Sequence, residues 1–271
     1  MPKDRRPCKN NLGVPLCWVI RAHALPWNHN WSAMKKTRVI RSLIQQLLLS
    51  IAFVLAGYGA GAQGKLTAGL FSSVPLGKYR STSADDGSAA KSGWGVMLEY
   101  ELRLKSWPTF FALNLHTSYQ NNPIDNDAMS AELSEALDVN ARVSKASFHP
   151  LLVTLGPTFY IPASPSLRIG IKTGIGFLLT NIDALNLSFY DNQAKLLTTA
   201  DVQFHTDPNF TFLLGCNGEY TLSPRVSLVA FANYSAAREK VSSSVANLES
   251  VHSYFNLSFV NLGLGAAINL H

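Results

Sequence analysis

Beyond residue 63 the chain alternates apolar and polar side chains, the period that a strand with two unlike faces imposes. In residues 94–104, Trp94, Val96, Leu98, Tyr100, Leu102 and Leu104 share one face, and Gly95, Met97, Glu99, Glu101 and Arg103 share the other. The same alternation runs through 110–120, 151–161, 167–179, 210–222 and 226–235. In the last segment Val260, Leu262, Leu264, Ala266, Ile268 and Leu270 oppose Asn261, Gly263, Gly265, Ala267 and Asn269. Phe255, Leu257 and Phe259 just before it are in the opposite phase, which predicts a bulge near Phe259. Residues 66–76 alternate most weakly and complete a set of eight strands.

The connections carry a second pattern. Lys105–Pro108, Ala163–Ser166 and Ser223–Arg225 are short, and each contains a proline. Residues 77–92, 121–149, 180–209 and 236–252 are long and polar, so short and long connections alternate strictly. A sheet of this kind closes as an all-β, eight-stranded antiparallel up-and-down barrel. The two loop lengths predict a transmembrane barrel inserted from one side, with short periplasmic turns and long extracellular loops.

A soluble lipocalin-like barrel would carry its apolar face inward around a ligand. The distribution of polar residues argues against it. The polar face holds Glu99, Glu101, Arg103, His116, Arg168, Lys172 and Glu219 among many Gly, Ala, Ser and Asn residues. Small residues with a few compensating charges suit a narrow lumen better than a soluble exterior. The other face is almost free of charge and ends in aromatic residues, among them Trp94, Tyr119, Phe159, Tyr220 and Tyr234, as lipid contact requires.

Charge bears on partners. The 271 residues carry a formal +6, from 23 Lys+Arg against 17 Asp+Glu. Nine of the basic residues precede residue 63, opposed only by Asp4, which leaves 14 basic and 16 acidic residues in the body. A mildly acidic body offers no footprint for nucleic acid. Residues 34–62 read as a cleavable signal peptide: Lys35, Lys36, Arg38 and Arg41, then the apolar run Leu47–Ala56, then Ala60-Gly61-Ala62. Residues 1–33 precede that complete signal without periodicity and read as a start-site artefact or extension, which leaves 63–271 as the barrel. Of three cysteines only Cys216 follows the leader, and no Cys/His spacing fits a metal. No cofactor motif is present.

Candidate chemistry is sparse. His149, beside Ser144 and Ser147, is the nearest approach to an activated hydroxyl, and reads more simply as a solvated rim histidine. His116 with Glu99 or Glu101, and Lys172 and Arg168 with Glu219, read as a structural network that compensates lumenal charge. Residues 128–137 have helical composition and are expected to form a short helix over the barrel mouth.

With the signal end Ala60-Gly61-Ala62-Gln63, the opening Ala68-Gly69-Leu70 and the closing Leu262-Gly263-Leu264-Gly265-Ala266, residues 65–271 resemble the small outer-membrane β-barrel family of Gram-negative bacteria, OmpA/OmpX-like and, in Bacteroidota, PorT-like. Many such barrels end in an aromatic residue, where this chain has Leu270-His271. The resemblance implies a monomeric outer-membrane protein in contact with lipid and without enzymatic activity. It would act through loops 121–149 and 180–209 by adhesion, ligand capture or contact with envelope or secretion complexes. Some eight-stranded barrels modify lipid A, so a rim enzyme is the alternative.

Overall fold

The computed structural model describes residues 62–82, 88–191, 193–245 and 251–270. The readings of 1–33 and 34–62 fall outside them, save for Ala62, where the first strand begins. Eleven strands form one antiparallel sheet: β1 (Ala62–Pro75), β2 (Gly93–Leu104), β3 (Phe111–Pro123), β4 (Asn140–Val143), β5 (Ser147–Pro162), β6 (Leu167–Ile182), β7 (Leu185–Tyr190), β8 (Leu196–Thr206), β9 (Asn209–Thr221), β10 (Val226–Val245) and β11 (Val251–Leu270). Among the described residues one α-helix, α1, spans Asn126–Leu137.

Eight of the strands close a ring. The order β1-β2-β3-β5-β6-β9-β10-β11 returns to β1 through pairing from Gly64↔Leu270 to Pro75↔Phe259. Each ring strand pairs with the next one along the chain, which makes the barrel up-and-down. The three short turns fall where the sequence places them. At one of them Ser164 Oγ accepts the Leu167 N–H (3.1 Å), and at another Ser223 Oγ accepts the Val226 N–H (3.1 Å).

The long connections differ from the sequence reading. Residues 121–149 contain the end of β3, α1, β4 and the start of β5, and 180–209 contain the end of β6, then β7 and β8. The stretch 236–252 is largely the continuation of β10 and β11. From β10 the sheet runs on through β8 and β7 to β4, above the rim of the ring. These segments alternate over shorter lengths and with more polar residues than barrel strands, because only one of their faces meets a core.

The bulge expected near Phe259 is absent. The β10–β11 register is unbroken through Ser235↔Phe259 and Tyr234↔Val260. The interior changes instead. Leu257 and Phe259 point inward into an apolar core, while Asn261, one step further along the same inward face, enters the polar lumen. A change of environment along one face reads in sequence as a change of phase.

Inward-facing side chains accordingly form three zones. Charged residues fill the short-turn end. Neutral amides such as Gln120, Asn217, Asn233 and Asn261 lie buried on the strands, with side-chain atoms that have no partner among the described residues. At the long-loop end, Tyr79, Phe148, Leu152, Leu178, Leu187, Leu257 and Phe259 close the barrel with a packed apolar core. Beside the polar zones Phe71 and Phe231 meet edge to face at 6.3 Å. They fit because Gly95 and Gly263 carry no Cβ: one built there would lie 2.3 Å from Phe71 and 2.5 Å from Phe231, respectively.

Candidate functional site

Two surfaces and one network are set by this fold. The network comes first because alternation on β1, β2, β3, β5, β6 and β9 points its members inward. Lys172 Nζ lies 2.6 Å from Glu99, which also meets His116 Nδ1 at 3.2 Å. A second group gathers around Tyr160. Lys65 bridges Glu101 (3.0 Å) and Glu219 (2.9 Å), Arg168 reaches Glu219 at 2.7 Å, and Arg103 reaches Glu101 at 3.3 Å. The Tyr160 hydroxyl donates to Glu101 and accepts from Lys65. The grouping of Lys172 with Arg168 and Glu219 is therefore corrected: Arg168 and Glu219 do pair, but Lys172 reaches across the lumen from β6 to Glu99 on β2.

Two members of the network, Lys65 and Tyr160, went unseen in the sequence, as did a third buried polar residue outside it, Glu239. Lys65 lies on the strand whose pattern is weakest. Tyr160 is one step out of phase with the apolar Phe159 and Ile161, which is itself the signal that it faces inward. Glu239, within a stretch read as loop, is fully buried on β10 and accepts the Thr180 N–H at 3.2 Å.

The outer wall is the first surface. Leu70, Ile175, Phe177, Phe210 and Leu264 are each exposed by 60% or more. Among the described outward positions of the ring, from the short turns up to Ala236, there is no Asp, Glu, Lys or Arg. The first outward charges on β10 are Arg238, stacked on Tyr254 at 4.6 Å, and Lys240. Val226–Ala236 is eleven residues, or ten steps; at about 3.3 Å per step and a ~45° tilt they rise roughly 23 Å, close to the ~25 Å apolar band of outer-membrane barrels. Water could not cover so continuous an apolar surface without large cost.

The second surface is a folded platform at the long-loop end. Asp125 caps α1, its Oδ1 accepting the Ala128 N–H (3.2 Å) and pairing with Lys91 Nζ (3.0 Å). The Lys91 ammonium and the Ala128 N–H hold the Asp125 carboxyl below the usual carboxylate range. Asp138 ends the helix in the left-handed region (φ 55°). Ser130 and Ser134 Oγ accept the Val143 and Ala141 N–H groups (3.0 and 2.9 Å), which fastens α1 to β4. Met129, Leu133 and Leu137 face the apolar core.

His149 sits on the outer wall at the upper rim. Its Nδ1 is 3.0 Å from the Tyr119 hydroxyl and its Nε2 3.3 Å from Asp183. Of the two serines considered beside it, Ser144 Oγ accepts the Asn186 N–H, and the backbone N–H of Ser147 donates to the same Asp183 carboxylate. Among the described residues no group of three or more His, Cys, Asp or Glu is placed to hold a metal.

A closed antiparallel ring with a charge-paired lumen and an uncharged apolar wall of membrane height defines an integral β-barrel of the outer-membrane type. No family model and no curated relative matches the chain. Solved structures similar to it include the outer membrane protein OprG from Pseudomonas aeruginosa, 13% identical, covering 78% of this chain and 97% of that one at a TM-score of 0.49. The attachment invasion locus protein Ail of Yersinia pestis is 12% identical, covering 77% and 99% with a TM-score of 0.40. A major outer membrane protein from Thermus thermophilus is 14% identical, covering 77% and 99% with a TM-score of 0.43. At such identities the likeness is one of general architecture, and the barrel is defined by its own pairings.

Proposed function

We propose that this is a non-enzymatic outer-membrane protein whose barrel is an anchor and whose platform, built from 121–149 and 180–209, binds a partner outside the cell. One observation carries the reading: the long connections fold into a sheet and helix packed on the apolar core they share with the upper ends of the ring strands, instead of lying slack across the mouth. Ordering that many residues costs about 1–2 kcal/mol of backbone entropy each, a cost that a mere anchor with four short turns would not incur. The β7–β8 hairpin is the part of the platform that leaves Leu196 and Leu197 more than half exposed, and these are contacts for a binding partner. A photoreactive residue at Leu196 in living cells should crosslink to one defined protein or glycan, whereas one at Leu264 should label lipid alone. Lipid adducts at both positions would contradict a platform for binding.

The Asp183–His149–Tyr119 chain favours a second reading, a rim enzyme acting on lipid A, because a carboxylate that orients a histidine is how a base is held. That reading requires His149→Ala to alter the lipid A mass spectrum. An unchanged spectrum leaves the binding platform as the account.

A further inference from the structure

We propose that the short-turn mouth of the barrel is a binding site for a small soluble oxyanion, a carboxylate or a phosphate. A cavity of about 330 Å³ opens there, lined by Lys65, Glu101, Arg103, Arg168, Glu219 and Asn269. That volume is at the lower end of the range for small-molecule pockets, about 300–1,000 Å³.

The charges do not balance. Among the described residues three cations face two carboxylates, an excess of one positive charge at the mouth. The deeper group differs: Lys172 and Glu99 are matched one to one, and their side chains are only 2% and 5% exposed. The arginine side chains at the mouth, by contrast, are 20% and 28% exposed. Burial beside an unmatched cation is costly unless an anion shares the site.

Like charges are also held close together here. Lys65 Nζ and the guanidinium carbons of Arg103 and Arg168 lie 4.9, 5.4 and 4.6 Å from the centre of the one Tyr160 ring. Glu101 and Glu219 are spent on that cluster, each shared between two cations. Both guanidinium groups meet their carboxylates through Nη2, and among the described residues neither Nε has a partner. Thr221, Ser227 and Asn269 add neutral hydrogen-bonding groups at the rim. Because the three cations stand on three different barrel strands, β1, β2 and β6, and are pinned by their carboxylates, they form a preorganised cradle that fits a planar or tetrahedral oxyanion.

The test uses the full barrel folded in maltoside micelles, with calorimetric titration of inorganic phosphate and of citrate at low ionic strength. Saturable binding of at least one is expected, weakened about tenfold or more by Arg103→Gln and by Arg168→Gln. Arg225→Gln, which alters an exposed charge at the same end but outside the cavity, should leave it unchanged. Retention of the heat-dependent electrophoretic shift verifies that each variant is folded. The proposal is overturned if neither anion binds saturably, or if all three variants weaken binding alike, which would mean diffuse charge. Binding that appears only when phosphatidylglycerol is added to the micelles would also overturn it, since the anion would then be a lipid headgroup.

Discussion

Single residues decide whether the lumen tolerates its charges. Glu219 is fully buried and holds both Lys65 and Arg168, so Glu219→Leu strips Arg168 of its carboxylate, leaves Lys65 with Glu101 alone, and should lower stability by roughly 3–5 kcal/mol. Glu219→Gln keeps an acceptor for them and should cost clearly less. Urea unfolding midpoints in lipid vesicles give the comparison, and equal small losses would show that the pairing does not matter. The fit of Phe71 is equally local. A side chain at Gly95 must displace that ring, and Gly95→Val should cost about 1–3 kcal/mol on the same scale. Which residues face inward was legible from alternation on Glu99, His116, Lys172 and Glu219. The pairs on neighbouring strands were legible too, His116 with Glu99 and Arg168 with Glu219; the partner of Lys172 was not, because it reaches across the barrel from β6 to Glu99 on β2, and no local pattern encodes that distance.

At the scale of elements, the platform depends on caps and short strands. Asp125→Ala removes the N-cap and the Lys91 pair, and should destabilise α1 by about 1 kcal/mol while leaving the barrel intact. Amide exchange at Ala128 and Met129 should quicken, with β9 amides unchanged. The same carboxyl gives the helix a pH dependence. Its value is depressed on folding, so its contribution is present above its ordinary 3.8 and is lost as pH falls through the lowered folded value. Acidification of wild type should therefore lower the protection of α1 amides relative to their intrinsic exchange rate at each pH, and Asp125→Ala should abolish that response. The helix itself was legible from the composition of residues 128–137. β4, β7 and β8 were not, because their alternation covers few residues and stands among polar ones. Likewise the switch at Phe259 is a change of surroundings from apolar core to polar lumen, which periodicity alone records as a bulge.

The whole molecule presents a membrane-height apolar wall around an interior closed at the long-loop end by Tyr79, Phe148, Leu152, Leu178 and Phe259. Planar-bilayer recordings should consequently show no stable porin-scale channel, and large open steps would contradict the packed plug. The central claim is that the apolar wall faces lipid. Its most direct test is fractionation of cells into soluble and outer-membrane pools, followed by electrophoresis with and without boiling. The account predicts a band in the outer-membrane pool whose mobility shifts on heating. A soluble band that heating leaves in place would contradict it.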